Sequence, residues 1–325
     1  MDGGIVTALA ELAAASARLG ADRLRVQAAG GNTSVKLDDT LWIKASGQWL
    51  ADAEARDIMV PVALSALCHA FACGEDVESV QRFVRDDTAL RPSIETAMHA
   101  LLPGRVVLHV HCVATIAVAV REDAPEILAR ALDGLLWTFV PYVRPGQPLA
   151  EAVAAQPGFD IYVLGNHGLT VCAETVAAAM ALLDTVAERL AVAPRPAPEA
   201  DIGRLAALAD GTDYVPATDA ALHALATDPV CLAVARAGSL YPDHVIFLGP
   251  GAAEWPKATA PLALVPGAGA LLRRDASTSA LAMARCLADV AARIPPGAPL
   301  VALSQADEAA LLGWEAETYR QGLRR

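Results

Sequence analysis

Two histidines one residue apart, His109 and His111, stand in the apolar run Arg105 to Val120, RVVLHVHCVATIAVAV. The β-branched and aliphatic residues Val106, Val107, Leu108 and Val110 predict a buried strand over its first half. Residues i and i+2 of a strand share a face, so both imidazoles can turn a nitrogen toward one point. That arrangement suits Zn2+, which takes neutral imidazole at roughly 2.0–2.1 Å. It equally suits two histidines hydrogen-bonded at a sheet end, and the pair alone leaves both readings open. A further imidazole, His167, lies in Gly165-Asn166-His167-Gly168-Leu169, a glycine-flanked strand end where a ligand can be held rigidly.

Acid–base chemistry has one candidate close to this strand. In Arg91-Pro92-Ser93-Ile94-Glu95, Pro92 and Ser93 are helix-start residues, which places Glu95 in the first turn of a helix predicted to run to about Leu102. There the macrodipole favours the carboxylate form, and a routine N-terminal acid is one reading. The other is a carboxylate beside a metal, because Pro103-Gly104 turns the chain straight from this helix into the His-x-His strand. His99 shares the helix face of Glu95 and reads as a structural partner rather than a ligand.

Anion binding has candidates nearer the N-terminus. Arg23 to Gln27 is a short strand candidate, Ala29-Gly30-Gly31-Asn32-Thr33-Ser34 turns into a second strand at Val35 to Leu37, and Leu41 to Lys44 returns as a third, ending in Ala45-Ser46-Gly47. Two glycine-bearing turns then lie at neighbouring ends of an antiparallel meander. Glycine lets backbone N–H groups approach an anion, and Asn32, Thr33, Ser34 and Ser46 add neutral donors, so phosphate is the natural guest. Ordinary hairpin turns are the competing reading, since the P-loop lysine pattern is missing.

The elements that must position these groups are legible from composition and punctuation. At 325 residues the chain can bury a large core, as one large or two medium domains. Hydrophobic content is 54%, the excess being mostly alanine, and no uninterrupted apolar run reaches the roughly 20 residues of a membrane span. MDGGIVTALAELAAASARLG opens with Asp2 rather than basic residues and is interrupted by Glu11, so it predicts an amphipathic helix ending near Gly20, not a signal peptide. A net charge of −12 argues against a nucleic-acid surface. Six cysteines at 68, 73, 112, 172, 231 and 286 show no framework spacing, which suits reduced thiols in a cytoplasm. Cys112 on a strand would face away from the histidines. Helices are predicted over residues 62–72, 124–132 and 174–190, and strands over 137–142 and 159–164.

Taken in order, GGNTS, K-A-S-G, P-S-I-E with a histidine four residues later, H-V-H, and N-H-G-L before an Ala-rich helix closely resemble the class II aldolase/adducin family from about Leu9 to Ala193. The resemblance implies His109, His111 and His167 as ligands of Zn2+ or another divalent transition metal, and Glu95 as catalytic acid/base. It implies Gly31, Asn32, Ser46, Gly47 and Ser93 as the cradle of a substrate phosphate. Where sugar-phosphate aldolases of the family carry two adjacent serines before the glutamate, this chain has Ser93-Ile94. The implied fold is a three-layer α/β/α arrangement around a central, largely antiparallel sheet, assembled as a homotetramer. The implied activity is cleavage of a ketose phosphate to dihydroxyacetone phosphate and a small aldehyde. Family members also use such a site for 4-epimerisation of pentulose phosphates or decarboxylation of 3-oxo sugar-acid phosphates, and adducin heads keep the fold as a scaffold without metal chemistry. A scaffold has no need of three histidines and Glu95.

Residues 194–199 form a proline-rich break, which divides the chain into a 1–193 aldolase-like domain and a smaller α/β C-terminal extension over 200–325. In the extension, 205–208, 220–225, 277–294 and 306–319 read as helices, and 244–248 and 263–265 as strands. Tyr241-Pro242-Asp243-His244-Val245-Ile246 followed by Val265-Pro266-Gly267-Ala268-Gly269 resembles the tail of the aldolase part in fusions of rhamnulose-phosphate aldolase with a short-chain dehydrogenase. Gly267-x-Gly269 lacks the third glycine of a dinucleotide fingerprint, Leu272 standing in its place, and too little chain follows for a Rossmann domain, so no nicotinamide cofactor is expected.

Overall fold

The computed structural model describes residues 3–86 and 88–314. They form two compact units, one built from residues up to 112 together with 130–189, the other from 113–129 together with 190 onward. The sequence reading assigned 113–129 to the first domain; in the structure this segment packs with the second.

The first unit opens with helix α1 (Gly3–Ala21). Strands β1 (Asn32–Leu37), β2 (Thr40–Lys44) and β3 (Met59–Ala63) follow, then helices α2 (Leu64–Ala72) and α3 (Thr96–Leu101). Strand β4 (Val106–Val110) leads away toward α4 (Val113–Ala119) and α5 (Ala124–Ala131), whose last turn re-enters the unit. Strand β5 (Trp137–Val140), helix α6 (Gln147–Ala154), strands β6 (Ile161–Leu164) and β7 (Gly168–Ala173), and helix α7 (Val176–Arg189) complete it. The sheet runs β3-β2-β1-β4-β7-β6-β5, and only β5–β6 is parallel. This is the central, largely antiparallel sheet between helical layers that the family resemblance implies.

One face of the sheet carries Ile43, Val62, Val107, Tyr162 and Cys172, packed with Met98, Leu149 and Val153 of α3 and α6 into a single buried cluster. His109 shares the parity of Val107 on β4, and Thr170 that of Cys172 on β7, so both point to this side. Against the other side lie α1 and α7. By length and composition alone α1 could cross a bilayer, but it buries Leu12, Ala15 and Leu19, and Ser16 Oγ meets Thr33 Oγ1 of β1 at 2.7 Å.

Three local readings change and one run left unassigned takes its form, each for a physical reason. Residues 23–27 form a turn, because Asp22 accepts from Leu24 N through its side chain and from Arg25 N and Val26 N through its carbonyl, which occupies the amides a strand would need. Residues 59–63 are a strand paired with β2, so the helix read from residue 62 starts only at Leu64. The apolar run after His111 becomes α4, because β1 begins opposite His109 and β7 supplies its last partner opposite Val110, leaving no neighbour to extend a ladder. Residues 244–248 belong to helix α11 (Pro242–Leu248), started by Pro242 after an extended Tyr241 and stopped at Gly249 with φ 87°.

The second unit continues with α8 (Ile202–Ala209), β8 (Tyr214–Pro216), α9 (Ala220–Thr227), α10 (Pro229–Arg236) and α11. Strands β9 (Leu262–Val265) and β10 (Gly269–Arg273) and helices α12 (Thr278–Ala291) and α13 (Gln305–Leu312) close it. The end of the predicted helix 306–319 lies outside the described residues. Its sheet, β8-β10-β9, repeats the β4-β7-β6 half of the first. In each hairpin the first strand's last residue pairs with the second strand's first across a three-residue turn, Leu164 with Gly168 and Val265 with Gly269. The middle turn residue has positive φ in both, Asn166 at 51° and Gly267 at 75°. Where the first turn ends in His167, the second ends in Ala268.

Candidate metal centre

His109 is the fourth residue of β4, and its ring is wholly buried. His111 follows the end of β4, and Gln27 Nε2 donates to its carbonyl at 3.2 Å. His167 closes the β6–β7 turn. The three rings face one another, with centroids 5.1 Å apart for His109–His111, 4.9 Å for His109–His167 and 5.2 Å for His111–His167. One nitrogen from each lies within 4.8 Å of the others.

Two glycines make this convergence sterically possible. A Cβ on Gly168 would sit 2.5 Å from Val110 O, and one on Gly31 would sit 2.8 Å from His109 O, where φ is also +67°. The segment leading into β1 and the β6–β7 hairpin therefore both press against the His-x-His segment at a distance that a side chain forbids.

Glu95 immediately precedes the six-residue helix α3, and its side chain does not cap that helix. The carboxylate turns into the histidine group instead: Oε2 is 3.5 Å from His109 Nε2 and Oε1 is 3.5 Å from His167 Nε2. Asn32 Nδ2 donates to Oε2 at 2.5 Å. Oε1 is buried and accepts no hydrogen bond among the described residues. Three buried imidazoles with a carboxylate oxygen, Oε1, beside them that meets no hydrogen-bond donor among the described residues fit a cation such as Zn2+. His99 is engaged elsewhere, its Nδ1 lying 2.7 Å from Ser34 Oγ. Burial first, then His109 and the ammonium groups of Lys36 and Lys44, push its imidazole well below the usual range.

The residues named for phosphate lie in two turns linked by Lys44. Ser46 N donates to Arg91 O at 2.8 Å and Ser93 N to Lys44 O at 3.2 Å, which pins the Ser46-Gly47 turn beside Ser93. Ser93 Oγ accepts from Glu95 N at 3.2 Å. The buried Lys44 ammonium donates to Ala29 O at 2.8 Å and Gly31 O at 2.9 Å, holding the other turn. Gly47 has φ +74°, the left-handed geometry that turn demands. Asn32 is committed to Glu95, a contact that sequence reasoning did not provide. Nor did it single out Thr170, whose Oγ1 lies 2.9 Å from His109 Nδ1. The available signals were a lysine closing an apolar strand and a threonine inside the run Leu169 to Cys172.

Residues 10–193 match the family described as Class II Aldolase and Adducin N-terminal domain. The chain belongs to this family. A relative from Bacillus subtilis (strain 168), named Uncharacterized oxidoreductase YuxG, is 31% identical over 182 residues, 51% of this chain and 26% of that protein. The chain thus spans about a quarter of that curated relative's length. Among solved structures, the N-terminal class II aldolase domain of a conserved protein from Thermoplasma acidophilum is 26% identical, with a TM-score of 0.50 over 55% of this chain and 90% of that one. YgbL from Klebsiella pneumoniae, titled a putative aldolase/epimerase/decarboxylase, is 22% identical with a TM-score of 0.43, covering 57% of this chain and 87% of that one. Class II aldolases are typically dependent on a divalent metal, and the buried His109/His111/His167 group is where this chain can hold one.

Proposed function

We propose that the protein is a metal-dependent class II aldolase that cleaves a ketose phosphate into dihydroxyacetone phosphate and a small aldehyde. The observation that carries this reading is the placement of the Glu95 carboxylate, each oxygen 3.5 Å from the Nε2 of a candidate ligand, His109 or His167. His109, His111 and His167 hold the metal, Zn2+ being the first choice for three imidazole donors. When bound, the metal supplies Lewis acidity toward the carbonyl and neighbouring hydroxyl oxygens of the ketose.

The chain's own groups do the rest. Glu95 exchanges the proton at the carbon that acts as nucleophile in the condensation direction. Asn32 keeps that carboxylate in one orientation through its bond to Oε2. The burial of Glu95, His109 and His167 keeps bulk water from the carbon as it gains negative charge. The turns at Gly31-Asn32 and Ser46-Gly47, with Ser93, receive the phosphate, and its binding energy orients the reacting end. The same reading carries a cytoplasmic homotetramer, which light scattering of the purified protein tests.

The deciding assay is a retro-aldol screen of ketohexose, deoxyketohexose and pentulose 1- and 5-phosphates, with and without zinc, reading triose phosphate. Zinc-dependent release from one of them supports the lyase. An epimer or CO2 in place of triose phosphate moves the activity to an epimerase or decarboxylase. A protein that takes up no stoichiometric metal and turns over nothing is a scaffold.

A further inference from the structure

We infer that Thr170 is a positioning residue for the candidate metal centre: its hydroxyl accepts the Nδ1–H of His109 and so directs the Nε2 lone pair toward His111 and His167. The inference rests on the metal reading of that histidine group. His109 and Thr170 are register partners on β4 and β7, both fully buried, with Nδ1 and Oγ1 2.9 Å apart.

A neutral imidazole has one hydrogen to place, and the two ring nitrogens of His109 offer it unequal partners. At Nε2 the neighbouring oxygen is Glu95 Oε2 at 3.5 Å, beyond the usual range of about 2.7–3.2 Å for N–H···O bonds. That oxygen already accepts from Asn32 at 2.5 Å. At Nδ1 the Thr170 oxygen is well inside the range. A ring that meets a cation through Nε2 carries its hydrogen on Nδ1, where the Thr170 oxygen lies 2.9 Å away to accept it, and Nε2 then faces the place where the three rings converge, with centroids 4.9 and 5.1 Å from that of His109. Threonine suits the task because its β-branch restricts χ1, so Oγ1 is fixed to the sheet backbone rather than carried on a mobile chain. A ligand whose ring is already oriented and whose tautomer is already selected has less to give up when a cation arrives.

The test uses the full chain stripped of metal by chelator, with zinc affinity read by competition against a chromophoric chelator and folding read from the melting temperature of the metal-free protein. Thr170→Val keeps the shape and removes the hydroxyl; its zinc Kd is expected to rise by about 10–100-fold, the range for loss of such an outer partner. Thr170→Ser keeps the hydroxyl and is expected to stay within about threefold of the parent, well below that range. A Thr170→Val protein that binds zinc as tightly as the parent overturns the inference. So does equal weakening in the Val and Ser variants, which would assign the effect to packing. His109→Ala separates this from the underlying assignment: if that variant keeps the parent's zinc affinity, His109 is not a ligand and the role of Thr170 falls with it.

Discussion

Asn32 and Glu95 come from segments 63 residues apart and meet side chain to side chain, Nδ2 to Oε2 at 2.5 Å. Asn32 opens β1 directly opposite His109, so the strand pairing that places the histidine also places the amide that holds the carboxylate. An amide donor on one carboxylate oxygen leaves the other for chemistry. Asn32 thus orients Glu95.

Glu95→Gln keeps the side chain's size but cannot accept and return a proton. Turnover should fall by roughly 10²–10⁴-fold while zinc content and melting temperature stay near the parent's. The measurements are metal analysis, thermal melting and cleavage of whichever substrate the screen identifies. Turnover within about threefold of the parent, far short of the loss expected for an acid/base group, would assign the proton to another residue.

Removing an imidazole acts on the metal instead. His167→Ala should lose most of its zinc, because a three-nitrogen site with an open position cannot drop a donor and keep its affinity. Its fold should survive, since the β6–β7 turn is closed by backbone pairing of Leu164 with Gly168. Stoichiometric zinc retained after dialysis against a weak chelator would remove His167 from the ligand set.

Gly168→Ala tests the close approach behind the site. The added methyl would lie 2.5 Å from Val110 O, an atom of rigid backbone. Overpacking of that kind costs about 1–3 kcal/mol, and relief requires β7 to move away from the His-x-His segment. Chemical denaturation should show the loss and zinc titration a weaker site. Parent-like values for both would mean that the hairpin has room to shift.

Stability should fall on mild acidification, in part through His244. Its Nδ1 accepts from Leu240 N at 3.3 Å, its Nε2 donates to Gly251 O at 2.9 Å, and burial pushes the imidazole down to about 4. An unfolded histidine titrates near 6.5, so below about that pH the unfolded chain takes up a proton that the folded one refuses. The contribution is complete above about pH 6.5 and is lost as pH falls toward 4, about 3 kcal/mol over the whole window at 1.36 kcal/mol per pH unit. Burial lowers His223 and His99 as well, so both add in the same direction. Urea unfolding of the metal-free protein at pH 7.5 and 4.5 measures the slope. An NMR titration placing folded His244 near 6.5 would remove its share.

What the sequence by itself determined about this protein is the part carried by local pattern. Val106 to His111, with two histidines at period two, specified a buried strand that delivers imidazoles, and the ordered motifs from Gly30 to Leu169 specified the family, hence the layered sheet. Tertiary structure alone decided the rest. The runs Val113 to Ala119 and His244 to Leu248 are short and apolar, and such runs have no periodicity that separates strand from helix. They became helices, the first because no strand neighbour remains beyond Val110, the second because Pro242 and Gly249 bracket one turn of backbone after another. Likewise Asn32 on Glu95, Thr170 on His109 and Lys44 under Gly31 are bonds between segments that meet only once the sheet is assembled. Side-chain type can announce that a group needs a partner; which partner it finds is set by strand register, and register is a property of the assembled sheet.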